Sequence, residues 1–170
     1  MKKGLTLIEL MISTVLVVIL AGVVIYAFRA ILLNWSGAEA RAGINITLNR
    51  AVEEMRRDVI KAKAIASGTN DEVRFTALDD THRIYYLYNP NDSYPPIFNQ
   101  QKYELKKAGL SGSLTNGAFT YGDGVIILTD VSPSPTTDLS CSSNLVTLDL
   151  SSIRGDETVR LRTQIKPRNL

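Results

Sequence analysis

Apolar residues crowd the first 33 positions, and beyond them the chain breaks into short alternating runs. Leu5 to Leu10 is apolar apart from Thr6 and Glu9, and Val15 to Phe28 is almost wholly aliphatic. No charge falls in the 19 residues between Glu9 and Arg29. As a helix that run reaches about 28 Å, close to the thickness of a bilayer core. It exceeds a secretory h-region of about 7–15 residues, and Ala38-Glu39-Ala40, which has the letters of a cleavage site, lies about ten residues too late. The pattern predicts a retained membrane helix. Lys2 and Lys3 favour an N-terminus on the cytoplasmic side, a preference that Arg29 on the far flank narrows.

The helical pattern continues past the apolar run. Ile44, Leu48, Val52, Met55 and Val59 recur at spacings of four, four, three and four, which is one packing face of an amphipathic helix. Arg50, Glu53, Glu54, Arg56, Arg57 and Asp58 supply a solvated face. The spacing extends the helix over residues 34–67, with Ser67-Gly68-Thr69-Asn70 as the stop.

From there the period drops to two. Glu72 to Leu78 and Arg83 to Tyr88 alternate around the turn Asp79-Asp80-Thr81. Ile84, Tyr86 and Tyr88 fall on one face, and Arg83, Tyr85 and Leu87 on the other. Further strands are predicted at Lys102–Lys106, Val125–Leu128, Leu145–Leu150 and Glu157–Ile165, with a short piece at Ala118–Tyr121. The turn Arg154-Gly155-Asp156 joins the last two strands, and Val131–Asn144, dense in Ser, Pro, Thr and Asp, reads as a loop. An amphipathic helix laid on a mainly antiparallel sheet buries both apolar faces, so the fold class is α+β.

Composition excludes more than it selects. A net charge of +2 and a basic stretch, Arg154 to Arg168, interrupted by Asp156 and Glu157, argue against nucleic acid. One cysteine, Cys141, allows neither an internal disulfide nor a Cys-based zinc site. His82, the single histidine, reads as a solvated surface residue. Asp71-Glu72, Asp79-Asp80 and Asp123 with Asp130 lack the alternating oxygen ligands of a calcium loop. Ser140-Cys141-Ser142-Ser143 has no base beside it in sequence, and no phosphate-cradling loop occurs. The expectation is no catalytic residue, no metal and no cofactor. Tyr85, Tyr86, Tyr88 and Tyr94 split between strand faces, core on one side and surface on the other.

Glu9 is the informative polar residue. A carboxylate inside the bilayer core costs on the order of 3 kcal/mol, so it needs a reason. It can sit at headgroup level, or be favoured by the helix N-terminus. It can also pair with a cation: a chain cut after Gly4 would expose an α-amine on Leu5, and that amine could meet Glu9 of a neighbouring subunit. Lys2-Lys3-Gly4 followed by Leu5-Thr6-Leu7-Ile8-Glu9-Leu10 resembles the processing motif of type IV prepilins and type II secretion pseudopilins. The resemblance implies cleavage after Gly4 by a prepilin peptidase, N-methylation of Leu5, and Glu9 as the assembly carboxylate. Leu5 stands where the family most often has Phe.

The helix-plus-sheet plan resembles the pilin fold as well. Gly122-Asp123-Gly124-Val125-Ile126-Ile127-Leu128 and the ending from Val159 to Leu170 are similar to the tails of J-type minor pseudopilins and W-type minor pilins. Major subunits usually carry Pro where this chain has Tyr26, and many have a C-terminal disulfide loop. The implied organisation is a leader over residues 1–4, a transmembrane assembly helix over 5–33, the helix extension over 34–67 and a β-rich periplasmic head over 71–170. The implied role is a minor pilin or pseudopilin in the bacterial inner membrane, with other pilins and the prepilin peptidase as partners. The alternative is an anchored module that binds DNA, a surface or secreted cargo at a filament tip.

Overall fold

Among the described residues, one helix precedes eight strands. In the computed structural model, which describes residues 6–67, 71–133, 137–142 and 145–168, α1 covers Leu7–Lys61. It is followed by β1 (Ala64–Ser67), β2 (Val73–Thr76), β3 (His82–Tyr88), β4 (Tyr103–Leu110), β5 (Val125–Val131), β6 (Asp138–Ser142), β7 (Leu145–Arg154) and β8 (Glu157–Ile165). The chain forms two units, residues 1–39 and residues 40–170.

In the first unit α1 is bare. Its large apolar residues are exposed on every side, from Leu16 at 54% to Leu7 and Tyr26 at 78%. The helix is long and apolar enough to cross a membrane.

In the second unit the rest of α1 is one-sided. Ile44, Leu48, Ala51, Val52, Met55 and Val59 are buried, while Arg41, Asn45, Asn49, Arg50, Glu53 and Arg57 face outward. The buried stripe packs on Phe75, Tyr85, Leu87, Leu105, Leu128, Val131, Leu139, Leu148 and Leu150 from the sheet. The sheet is antiparallel throughout, in the order β1-β2-β3-β4-β5-β7-β6, with β8 on the other side of β7. It curls enough that β6 returns close to β1 and β2. Strand β8 follows the helix: Arg41 forms an ion pair with Glu157 at its start, and the Arg168 N–H donates to the Ile60 carbonyl just past its end.

Three expected elements need correction, the first being the short piece at Ala118–Tyr121, which is only a single bridge from Ala118 to Ser111. The helix stops at Lys61, not at Ser67. Ala62 N–H bonds back to Val59, Lys63 N–H donates to the Thr76 carbonyl, and Ala64–Ser67 becomes β1, paired with β2 from Ala64↔Thr76 to Ser67↔Val73. Ala64, Ile65 and Ala66 suit a helix locally, but a sheet edge that satisfies their backbone groups outweighs a propensity of a few tenths of a kcal/mol per residue. The loop expected over Val131–Asn144 contains β6, whose Leu139 and Cys141 pair with Leu148 and Val146. Its Asp and Ser residues conceal the alternation of Leu139 and Cys141 with Ser140 and Ser142.

The turns came out where the residues placed them. Asp80 takes φ +62° between β2 and β3, and Asp79 accepts from the Thr81 N–H and hydroxyl. Gly155, at φ +61°, opens the two-residue link closed by the pair Arg154↔Glu157.

Candidate functional site

Gly4 and Leu5, where processing is expected, lie outside the described residues. Glu9, expected as the assembly carboxylate, lies within the described residues. Thr6 N–H and Thr6 Oγ1 both donate to Glu9 Oε2, at 2.9 and 2.8 Å, and Glu9 N–H returns to Thr6 Oγ1 at 3.4 Å. That reciprocal exchange is a capping box: Thr6 precedes the first helical residue and Glu9 is three positions on. It satisfies donors that a helix start would otherwise leave open. The signal was present as Thr-x-x-Glu at 6–9, hidden by the greater prominence of the charge itself. Ser13 and Thr14 also satisfy their hydroxyls within the helix, on the carbonyls of Glu9, Leu10 and Met11. The hydroxyls of this stretch are therefore matched locally, which suits surroundings poor in water.

In the second unit the expected packing face, Ile44, Leu48, Val52, Met55 and Val59, lies in the core. Polar side chains fasten its rim. Lys107 Nζ lies 2.7 Å from Asp58 Oδ2 and 3.4 Å from Glu54 Oε1, and Tyr85 donates to the same Asp58 oxygen at 2.8 Å. Burial, together with the Asp58 charge, pushes the Tyr85 phenol well up from its ordinary value.

The tyrosines do not divide into core and surface as expected. Tyr85 and Leu87 join the helix-facing core. Ile84 and Tyr86, on the opposite face, are buried in a second cluster with Ala108, under Tyr88, Leu110, Phe119 and Tyr121. Rings in this cluster meet at 4.7–5.8 Å, and Lys106 Nζ lies 4.0 Å from the centre of Tyr88. Phe119 and Tyr121 of this cover belong to the segment between β4 and β5, so a two-residue period on β3 could not reveal them.

A buried ion pair holds that cover. Arg74 Nε donates to Glu72 Oε1 at 2.8 Å, and Tyr94 donates to Glu72 Oε2 at 2.7 Å. Arg74 Nη1 reaches the carbonyls of Thr115 and Gly117. Both charges are almost wholly enclosed, at 11% and 2% side-chain exposure. Nearby, Asp92 accepts from Tyr103 OH and from the N–H groups of Ser93, Ile97 and Phe98. Burial acts to raise its carboxyl, but these four donors outweigh it and hold Asp92 below the usual carboxylate range. On the outer face of β7, Asp149 takes a bidentate pair of bonds from Arg160, which lower it likewise.

Neither a catalytic constellation nor a metal centre emerges from these contacts. His82 is half-buried and shares a 3.0 Å contact with Thr76 Oγ1, so it is less solvated than expected. Among the described residues no group of three His, Cys, Asp or Glu side chains could hold a metal. Asp130 is tied to Lys102, and Asp79 and Asp80 to Arg83 and Lys63. Thr137 Oγ1 bonds the Ser132 carbonyl and accepts from Ser151 N–H, closing the ends of the Pro-Ser loop, whose residues 134–136 lie outside the described ones. No family model, characterised protein or solved structure matches this chain.

Proposed function

We propose that this chain is a minor pilin or pseudopilin: a pilin-like structural subunit that enters, initiates or caps a type IV pilus or a type II secretion pseudopilus. The observation that carries the reading is the bare apolar length of α1, which opens on a capped carboxylate at Glu9 behind the Lys2-Lys3-Gly4 leader. Aliphatic surface of that extent needs lipid or other helices around it, and a bundle of like helices exchanges one for the other. Glu9 would then set axial register by pairing with the α-amine of a neighbour's Leu5. In this reading Thr6 shelters the Glu9 charge until the neighbour's amine arrives. The N-terminus is cytoplasmic, the head is periplasmic, and the role is mechanical, not enzymatic.

The test is intact-mass and N-terminal analysis of the protein from its native membrane, with Gly4→Ala beside wild type. Wild type should begin at methylated Leu5, and the variant should retain Met1 or Lys2. Leaders retained in both would remove the filament reading and leave an anchored binding module in its place.

A further inference from the structure

The apolar surface of α1 does not stop where its charges suggest. Taken alone, Glu9 and Arg29 are 20 positions apart, about 30 Å of helix, which is the thickness of a hydrocarbon core. That register would leave Ile31, Leu32, Leu33 and Trp35 in water, at 58%, 57%, 66% and 71% exposure. Ala30, Ile31, Leu32 and Leu33 are consecutive, so their side chains leave the helix about 100° apart and together encircle it. A single protein partner covers one face of a helix, whereas lipid, or a bundle of other helices exchanged for it, covers all of them.

Glu9 and Trp35 give a second register. They are 26 positions apart, about 39 Å, close to the 40–45 Å of a bilayer that includes both headgroup layers. Trp35 is the single tryptophan of the chain. An indole has an apolar body and one N–H that needs a partner, and it prefers the boundary between acyl chains and headgroups. Polar residues begin around it: Asn34 precedes it, and Ser36, whose hydroxyl bonds the Leu33 carbonyl, follows. Arg29 then lies about 9 Å below Trp35, near enough to that boundary for its long side chain to carry the guanidinium up to the headgroups.

We infer that Trp35 anchors the helix in the headgroup layer opposite Glu9, with residues 30–33 inside the hydrocarbon, so that a lipid interface, and not the Arg29 charge, sets the depth of the protein. This rests on the membrane-anchor part of the proposed function and not on filament assembly. Its consequence is that a subunit leaving the bilayer must withdraw an aromatic anchor as well as an aliphatic helix.

The experiment uses the full chain in phosphatidylcholine vesicles, with bromine placed on the acyl chains near the headgroup, at mid-chain or at the chain end. Trp35 emission should be quenched most by bromine nearest the headgroup and several-fold less by bromine at the chain end. A Phe28→Trp, Trp35→Phe variant moves the probe about 10 Å along the helix and should shift the strongest quenching toward the chain end. The proposal is overturned if no bromine quenches Trp35 while iodide in the water does so fully, since the indole then stands in water and Arg29 marks the boundary. It is equally overturned if chain-end bromine quenches Trp35 most, or if both probes report one depth. Correct processing at Gly4 with a water-exposed Trp35 would sink the register and spare the filament reading. A headgroup-level Trp35 on an uncleaved chain would do the reverse.

Discussion

Leu16 and Leu48 are the same residue type on the same helix, yet Leu16 is 54% exposed and Leu48 is wholly enclosed. Around Leu16 the neighbours on α1 are apolar apart from Ser13 and Thr14, whose hydroxyls bond back to the helix, and nothing in its unit covers it. Around Leu48 the apolar residues keep to one stripe, and the sheet supplies a matching surface. The two halves of α1 are thus built for different solvents. The first has no polar face, so its stability in isolation would come from lipid or other helices. The second carries its own shelter, and its energetics are those of a small water-soluble domain.

Four measurements would break or sharpen that contrast, each by urea unfolding of the detergent-solubilised chain, followed through the tyrosines of the head. The largest effect is expected from Glu72→Ala. It leaves the enclosed Arg74 guanidinium without its carboxylate, and breaking a buried pair from one side costs about 3–5 kcal/mol. A loss under about 1 kcal/mol would mean the cover over the second cluster does not depend on this pair. Leu48→Ala comes next, at about 2–5 kcal/mol for the lost burial and the cavity left behind.

The third effect is a pH dependence. Burial pushes Tyr86 and Tyr103 up to about 12, against about 10 in an unfolded chain. Between those values the folded state holds protons that the unfolded state releases, so stability falls as pH rises. The head should therefore be unaffected by these groups below about pH 10 and lose stability between about pH 10 and 12, by up to roughly 2 kcal/mol for each tyrosine. Tyr86→Phe should flatten the alkaline limb while lowering the plateau, because its hydroxyl also donates to the Asp123 carbonyl at 2.6 Å. An alkaline limb unchanged in that variant would refute the assignment. The smallest effect is Leu16→Ala, at under about 0.5 kcal/mol on the same unfolding curve. A larger loss would show that the bare half of α1 contributes to the stability of the head.

Much of this was legible from residue order. The apolar run, the stripe from Ile44 to Val59, the turns at Asp79-Asp80-Thr81 and Arg154-Gly155-Asp156, and the alternation of Val159, Leu161 and Thr163 with Arg160, Arg162 and Gln164 are local patterns. Each is set by side chains within a few positions of one another. The capping box at Thr6 and Glu9 was equally local, and the sequence held its signature.

What needed the fold was every feature whose partner lies far along the chain. Ala64–Ser67 is a strand because β2 offers its hydrogen bonds, and Asp138–Ser142 because β7 does. Tyr86 is buried because Phe119 and Tyr121 close over it, and that cover is held by Arg74, more than 40 positions from the carbonyls it grips. Periodicity reports which residues share a face, since that is fixed by backbone geometry. It cannot report what lies opposite the face, since that is fixed by which distant segment releases the most free energy on packing there.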